Sequence, residues 1–375
     1  MNISSQFDGG NIIVKSAKKA SDIQLEIRKD NGSHFYQWFY FRLAGAAGKD
    51  CTLKIMNAGK AAYPGGFEDY RVCVSYDREH WFRLDTKYDG KTLSWSHTPA
   101  KGAVYYAYFA PYSMERHADL VAGISESPYV EQRVLGQTLD GQDLDLLVIG
   151  DPGSKPKKIF WVTARQHPGE TMAEWWAEGF LERLVDEHDP VSRKLLDQVR
   201  FYVIPNINPD GSRRGHLRTN AIGKNLNREW DKSTMENSPE VFLTLRAMEK
   251  YGMDFHLDVH GDEALPYNFL IGIEGIPKLT AKLTKQYKFL QNRLCELSPD
   301  FQKKHGYPLE KPGKANLSIA SNYIANHYRV FSTTLEMPFK DNADLPDQDQ
   351  GWSPERCIRL GRTFVDGLWS YAQKF

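Results

Sequence analysis

From Phe35 onward the apolar positions come in short alternating or continuous runs: FYQWFYFRL (Phe35–Leu43), then CTLKIM, YRVCVSYD, TLSWSH and VYYAYFA. The first is aromatic on both alternating faces, as expected of a strand buried inside a sandwich. Tyr88–Gly90 (YDG) reads as a hairpin turn between two such strands. No long helical period appears up to about Ser127, so residues 1–125 are expected to form an all-β sandwich domain. After SESP (Ser125–Pro128) the rhythm changes to strands alternating with helices, the mark of an α/β layer over residues 126–375. LDLLVIG, KKIFWVT, VRFYVIP, DFHLDV and VFSTTLE read as its strands. Thr171 opens a helix whose Met172, Trp175, Trp176, Phe180 and Leu184 fall on one stripe. Asp189-Pro190, Ser238-Pro239 and Ser353-Pro354 each pair a capping residue with a first-turn proline and start further helices; Gly252 ends the second of these.

Composition adds exclusions. Lys+Arg and Asp+Glu both number 48 in 375 residues, so no global field argues for a nucleic-acid partner. No apolar run approaches membrane-spanning length, and the start, MNISSQFDGGNIIVKSAKKA, lacks a signal-peptide pattern. The four cysteines show no CxxC spacing and read as reduced core residues, with a cytoplasmic location as the expectation. Oligomeric state has no signal in the sequence.

The candidate chemistry starts at ARQHPGETMAEWW (Ala164–Trp176), where His167 and Glu170 flank Pro168-Gly169 at a strand-to-helix junction. By itself this is equally a punctuated turn, with Glu170 favoured near a helix N-terminus. A catalytic zinc takes about three protein ligands and leaves a position open, and two His with one carboxylate is a known set. DFHLDVHGDE offers the second His. His260 is at the strand terminus, where α/β sheets place ligands; His256, deeper in the strand, reads as a core histidine. Asp262 reads as a solvated loop carboxylate, with support of a ligand as its other reading. A base is still required, and Glu336, at the end of VFSTTLE between Leu335 and Met337, sits where apolar surroundings raise a carboxyl pKa. Its competing reading is a strand-edge Glu paired with a surface Lys. The long segment between VRFYVIP and the next helix carries Arg213, Arg214, Arg218, Lys224 and Arg228, a length that leans towards function.

Taken together, ARQHPGET, PNINPDG with GHLR, NLNREW, VHG and TTLE resemble the zinc carboxypeptidases of the carboxypeptidase A type. FYQWFYFRL and APYSMERH resemble the sandwich domain of the cytosolic carboxypeptidase branch. The resemblance implies a mixed-sheet α/β catalytic domain of phosphorylase/hydrolase-like type, one Zn²⁺ per chain on His167, Glu170 and His260, and Glu336 as general base. It further implies that Arg218 polarises the scissile carbonyl and that Asn227 and Arg228 grip the terminal carboxylate; a guanidinium suits both tasks. The mobile tyrosine of the digestive enzymes has three candidates, Tyr307, Tyr323 and Tyr328.

The implied function is hydrolysis of the C-terminal peptide bond of a peptide or protein tail, by water activated with zinc and Glu336. An acidic (Glu) preference is part of that expectation, with Arg213, Arg214, Lys224 and Lys314 as its candidate support; surface solubility is the other reading of each. The alternative enzyme is a zinc deacylase of small N-acyl amino acids, of the aspartoacylase or succinylglutamate desuccinylase type, which lacks the sandwich. A non-catalytic tail-binding adaptor is a third reading, and it predicts a missing ligand or base. The sandwich shows no chemistry of its own in the sequence.

Overall fold

A computed structural model describes residues 1–375. Its first part is a sandwich of two five-stranded sheets. One sheet runs Asn2–Ser4, Tyr40–Ala44, Ala103–Ala107, Arg71–Ser75, Phe82–Asp85; the other runs Ile13–Lys19, Asp22–Glu26, Cys51–Ile55, Leu93–His97, Lys87–Tyr88. Between them the rings of Phe39, Phe41, Trp95, Tyr106 and Tyr108 pack at centroid separations of 5.3–6.5 Å. The aromatic run is thus a core, but only its second half is a strand. Tyr36–Phe39 are buried without joining a sheet. Gln37 takes over the pairing there: its side chain accepts from Tyr63 N and donates to Tyr63 O and the Tyr108 hydroxyl.

The expectation of an all-β region up to residue 125 is corrected by the helix Met114–Ser125, capped by Ser113. Its buried residues His117, Leu120, Val121 and Ile124 recur at helical spacing. They pack chiefly on the α/β layer, while the helix's first turn also meets the sandwich, with Met114 N donating to Asp8 Oδ2 at 2.8 Å.

That second unit is built on one seven-stranded sheet, ordered Val130–Gln137, Asp143–Ile149, Val199–Ile204, Lys158–Ala164, Phe255–Val259, Phe331–Glu336, Phe269–Ile271. The middle four strands are parallel and the edge pairings antiparallel. Alternation sorts the side chains: Phe160, Val162, Phe255 and Leu257 face one core, while Trp161 and Tyr202 face a smaller one. At the sheet centre this second face turns polar, carrying Thr163, His256, Asp258 and Ser332. His260 continues the parity of His256 and Asp258, so the strand delivers a polar column to its own carboxyl end.

The helix Met172–Leu184 is buried on nearly every side rather than on a single stripe. The cause is the helix Pro354–Lys374, which lies against it with the backbones in contact: a Cβ on Gly179 would meet Ile358 O at 2.1 Å, and one on Gly361 would meet Trp176 O at 2.1 Å. Glycine is therefore a packing requirement at both positions. The contact fixes the helix that starts at the His167–Glu170 loop.

Candidate metal centre and active-site cavity

The strand Lys158–Ala164 ends in a residue with an unusual backbone, Arg165, at φ +59°. A left-handed conformation is disfavoured for a residue with a Cβ, and here the side chain holds it. Arg165 Nε donates to Pro168 O at 3.0 Å, and Nη1 donates to Tyr112 O (2.9 Å) and to Glu174 Oε2 (2.7 Å). The loop so formed aims His167 and Glu170 at one point. Gly169 lies against Leu217, with Gly169 N donating to Leu217 O at 2.9 Å and no room for a Cβ.

His167 Nδ1 lies 2.6 Å from Glu170 Oε1, His260 Nδ1 lies 2.8 Å from Glu170 Oε2, and the two Nδ1 atoms are 3.2 Å apart. Two ring nitrogens at that distance with a carboxylate between them make a donor set for a cation. Zinc bonds of about 2.05 Å at tetrahedral angles put donors roughly 3.3 Å apart, and the N···N separation agrees. The distal nitrogens are engaged elsewhere: His167 Nε2 is 3.1 Å from Asn225 Oδ1, and His260 Nε2 is 2.7 Å from Asp258 Oδ2. Asp258 in turn accepts from Thr163 Oγ1 and from Gln166 Nε2. This outer set orients the rings and fixes which nitrogen faces the ion. His167, Glu170 and His260 form a single buried cluster, the donor set of one zinc site per chain. His256 is a core histidine, between Thr163 and Ser332, with its pKa pushed down to about 4 by burial.

Glu336 ends its strand beside this cluster with Oε2 buried and without a partner. Burial, and then the charges of Glu170, Asp262 and Glu263, push its carboxyl well above the usual range, although His260 pulls the other way. No lysine pairs with it, so the surface-pair reading fails. Asp262 also departs from expectation: it is buried, accepts from Ala264 N at 2.8 Å and from the Tyr307 hydroxyl, and is not a solvated loop carboxylate.

All seven residues singled out in the sequence line one cavity of about 820 Å³: His167, Glu170, His260, Glu336, Arg218, Asn227 and Arg228. Asn227 Oδ1 accepts from Ala320 N at 2.9 Å, which leaves its amide NH₂ as the end free to donate. Burial and the neighbouring Arg218 lower the Arg228 pKa. Of the three tyrosines, Tyr307 lines the cavity, while Tyr323 and Tyr328 pack against the smaller core around Trp161 and Trp230. Arg213, Arg214, Lys224 and Lys314 do not line it, and Arg214 pairs with Asp140 at 2.6 Å. Sequence reasoning did not assign functional roles to Arg165, Gln166, Glu174, Asn225 or Asp258. Only Asp258 had a signal, sharing a strand face with His260.

Behind the loop, Glu174 joins Arg165 to His117 on the helix Met114–Ser125: His117 Nδ1 is 2.5 Å from Glu174 Oε1, and Nε2 is 3.5 Å from Asp145 Oδ2. Burial alone would depress the His117 pKa, but Glu174 and Asp145 outweigh it and push it up to about 9. The folded state then holds a proton that the unfolded state releases near pH 6.5. The stabilisation is complete below that pH and disappears as pH rises through 9, a loss of roughly 3 kcal/mol. Urea unfolding at a series of pH values should show this slope in the native sequence and not in His117→Gln; equal slopes would refute the assignment.

The convergent His–Glu–His set, with a buried, unpaired carboxylate beside it in a cavity at strand ends, defines a metal-dependent hydrolase. The zinc carboxypeptidase profile matches residues 121–249, and the cytosolic carboxypeptidase N-terminal domain profile matches residues 3–109. A putative carboxypeptidase A from Shewanella denitrificans shares 51% identity and superposes with a TM-score of 0.97, covering 100% of this chain and 99% of that one. A metallo-carboxypeptidase from Pseudomonas aeruginosa, solved with (2-guanidinoethylmercapto)succinic acid, shares 40% identity with a TM-score of 0.97 and complete coverage of both chains. The chain belongs to the zinc carboxypeptidase family and is a metal-dependent peptidase.

Placement in the cytosolic carboxypeptidase branch is corrected by the same comparisons. The whole-chain likenesses at 40–51% identity are to bacterial carboxypeptidases, one of them a putative carboxypeptidase A. Cytosolic carboxypeptidase 3 of Bos taurus shares 28%, and this chain spans 40% of its length. The motifs around the metal cluster point to the family as a whole, and only FYQWFYFRL and APYSMERH pointed to the branch. The sandwich that seemed diagnostic is also present in the bacterial proteins, which align over the full chain.

Proposed function

We propose that the protein removes the C-terminal residue of a peptide or protein tail. The observation that carries this reading is the placement of two arginines and an asparagine in the same cavity as the metal cluster and Glu336. Arg228 and the Asn227 amide take the terminal carboxylate, because a guanidinium and an NH₂ match its two oxygens. Zinc, when bound, supplies a Lewis acid that acidifies water and polarises a carbonyl. Glu336 accepts the proton of the attacking water and delivers it to the departing amine as the C–N bond breaks. Arg218 donates to the oxygen that gains charge. The succinate end of the ligand held by the P. aeruginosa relative has the carboxylates that such a set would grip, which supports the docking assignment.

The acidic preference loses its expected support, since none of its four candidate cations lines the cavity. The far wall carries Glu274 and Glu310 as well as Lys303 and Lys304, a mixture that selects no single charge. The deacylase alternative is disfavoured by Tyr63, a sandwich residue in the cavity wall; an enzyme of that type lacks the domain. The adaptor reading fails for a simpler reason, because ligands and base are all in place. No helix is long and apolar enough to cross a membrane, and the four free cysteines support a cytoplasmic location.

The zinc-loaded protein should release free amino acid from the C-terminus of peptides that differ only in their last residue, Glu, Lys or Phe. Release of an acyl group from N-acyl amino acids, with every peptide left intact, would move the assignment to the deacylase.

A further inference from the structure

The sandwich reaches into the catalytic unit at one buried carboxylate, Asp30. Asp30 Oδ1 accepts from Leu217 N at 2.7 Å, and Oδ2 accepts from Arg218 N at 2.8 Å, Thr219 N at 3.0 Å and Thr219 Oγ1 at 3.0 Å. Three consecutive backbone N–H groups thus close on one side chain from another domain. The held segment has two ends that matter. The Arg218 guanidinium lies 5.5 Å from the ring centroids of both Phe35 and Tyr63, two more sandwich residues. The Leu217 carbonyl accepts from Gly169 N, between His167 and Glu170.

Arg218 itself makes no ion pair, and its Nε is buried without a partner. No ion pair or hydrogen bond from the catalytic unit fixes this guanidinium, which ends a long side chain with much rotamer freedom to lose. Its backbone anchor and its aromatic walls both come from the sandwich. From this we infer that Asp30, with Phe35 and Tyr63, forms a positioning clamp that sets Arg218 for the transition state. The first domain is therefore part of the catalytic machinery. The inference rests on the proposed oxyanion role of Arg218.

The full-length zinc enzyme is compared with Asp30→Asn, Asp30→Ala, Arg218→Ala and the Asp30→Ala/Arg218→Ala double variant, each checked for bound zinc and for its thermal midpoint. Asp30→Ala is expected to lower kcat about 30- to 100-fold with little change in KM, the scale of loss when a catalytic group is displaced by about 1 Å. Asp30→Asn keeps the shape and one oxygen to accept from Arg218 N and Thr219, though its NH₂ then faces Leu217 N, and it should lose less than Asp30→Ala. The double variant should be no slower than Arg218→Ala, because a clamp with nothing to hold has no further effect. Binding of a phosphonate dipeptide analogue should weaken in Asp30→Ala by the same factor as kcat/KM, with binding of the free amino-acid product unchanged. Losses that multiply in the double variant, or an Asp30→Ala enzyme with native kcat, would overturn the clamp. An Arg218→Ala enzyme with native kcat would instead overturn the oxyanion assignment beneath it. If Asp30→Ala does not fold, Phe35→Leu in single and Arg218→Ala backgrounds reads out the same coupling.

Discussion

Glu336→Gln is expected to lower kcat by about a thousandfold while leaving zinc content and KM close to native. The change is isosteric, so the cavity keeps its shape; what disappears is the ability to take a proton. The effect on stability should have the opposite sign. Burial raises the folded-state pKa of Glu336 far above the ordinary carboxyl value. Ionisation at neutral pH therefore costs folding energy, and that cost grows as pH rises above the unfolded value near 4.3. Glutamine stays neutral at every pH and has no such cost. A thermal midpoint at or above native, combined with a collapse in kcat, would separate a base from a structural residue. A variant retaining kcat within tenfold would dismiss Glu336 as the base.

His260→Ala should remove the metal. Apparent zinc binding energies of about 10–16 kcal/mol, shared among a few donors, put one ligand at roughly 4 kcal/mol, or about a thousandfold in affinity. Asp258→Asn tests the neighbouring level of control. It leaves His260 in place but weakens the partner that orients its ring at Nε2, and a loss nearer 10- to 100-fold is expected. Competition with a chromogenic chelator reads both constants directly. Because His260→Ala also leaves Asp258 and Glu170 buried without their shared imidazole, affinity has to be measured where each variant is folded. Equal affinities for the two variants would contradict the hierarchy.

Much of this site was legible in the sequence because its residues sit where the chain changes state. His260 and Glu336 end strands that their apolar alternation marks, and His167 and Glu170 occupy a turn punctuated by Pro168 and Gly169. The donor types and that placement were enough to nominate a zinc. The supporting residues were not legible, since their partners are remote in sequence. Asp30 meets Arg218 across 188 positions, and Arg165 meets Tyr112 across 53. Neither pairing leaves a local pattern. The helix Met114–Ser125 was missed for another reason: its apolar spacing was present, but it followed a run of strands and was absorbed into them. The start of the aromatic run was misread because burial looks the same in a strand and in an irregular segment, here one whose Tyr36 and Phe39 carbonyls accept from Ala62 N and Tyr108 N. The family was recovered and the branch was not. Side chains suited to a metal and a carboxylate report chemistry shared by a whole family, and the sandwich is shared with the bacterial relatives too.

The close contact of Gly179 and Gly361 has a consequence for how the enzyme is made. The helix that anchors the metal loop is locked by a partner about 180 residues further along the chain, as the pairing of Arg362 with Glu182 shows. On the ribosome, His167 and Glu170 emerge long before that partner exists. His260 and Glu336 emerge in between, in a sheet whose parallel pairings are non-local. A nascent chain therefore carries the parts of a protease without a stable place for its metal. The metal loop is secured only once the helix Pro354–Lys374 is available to pack against Met172–Leu184.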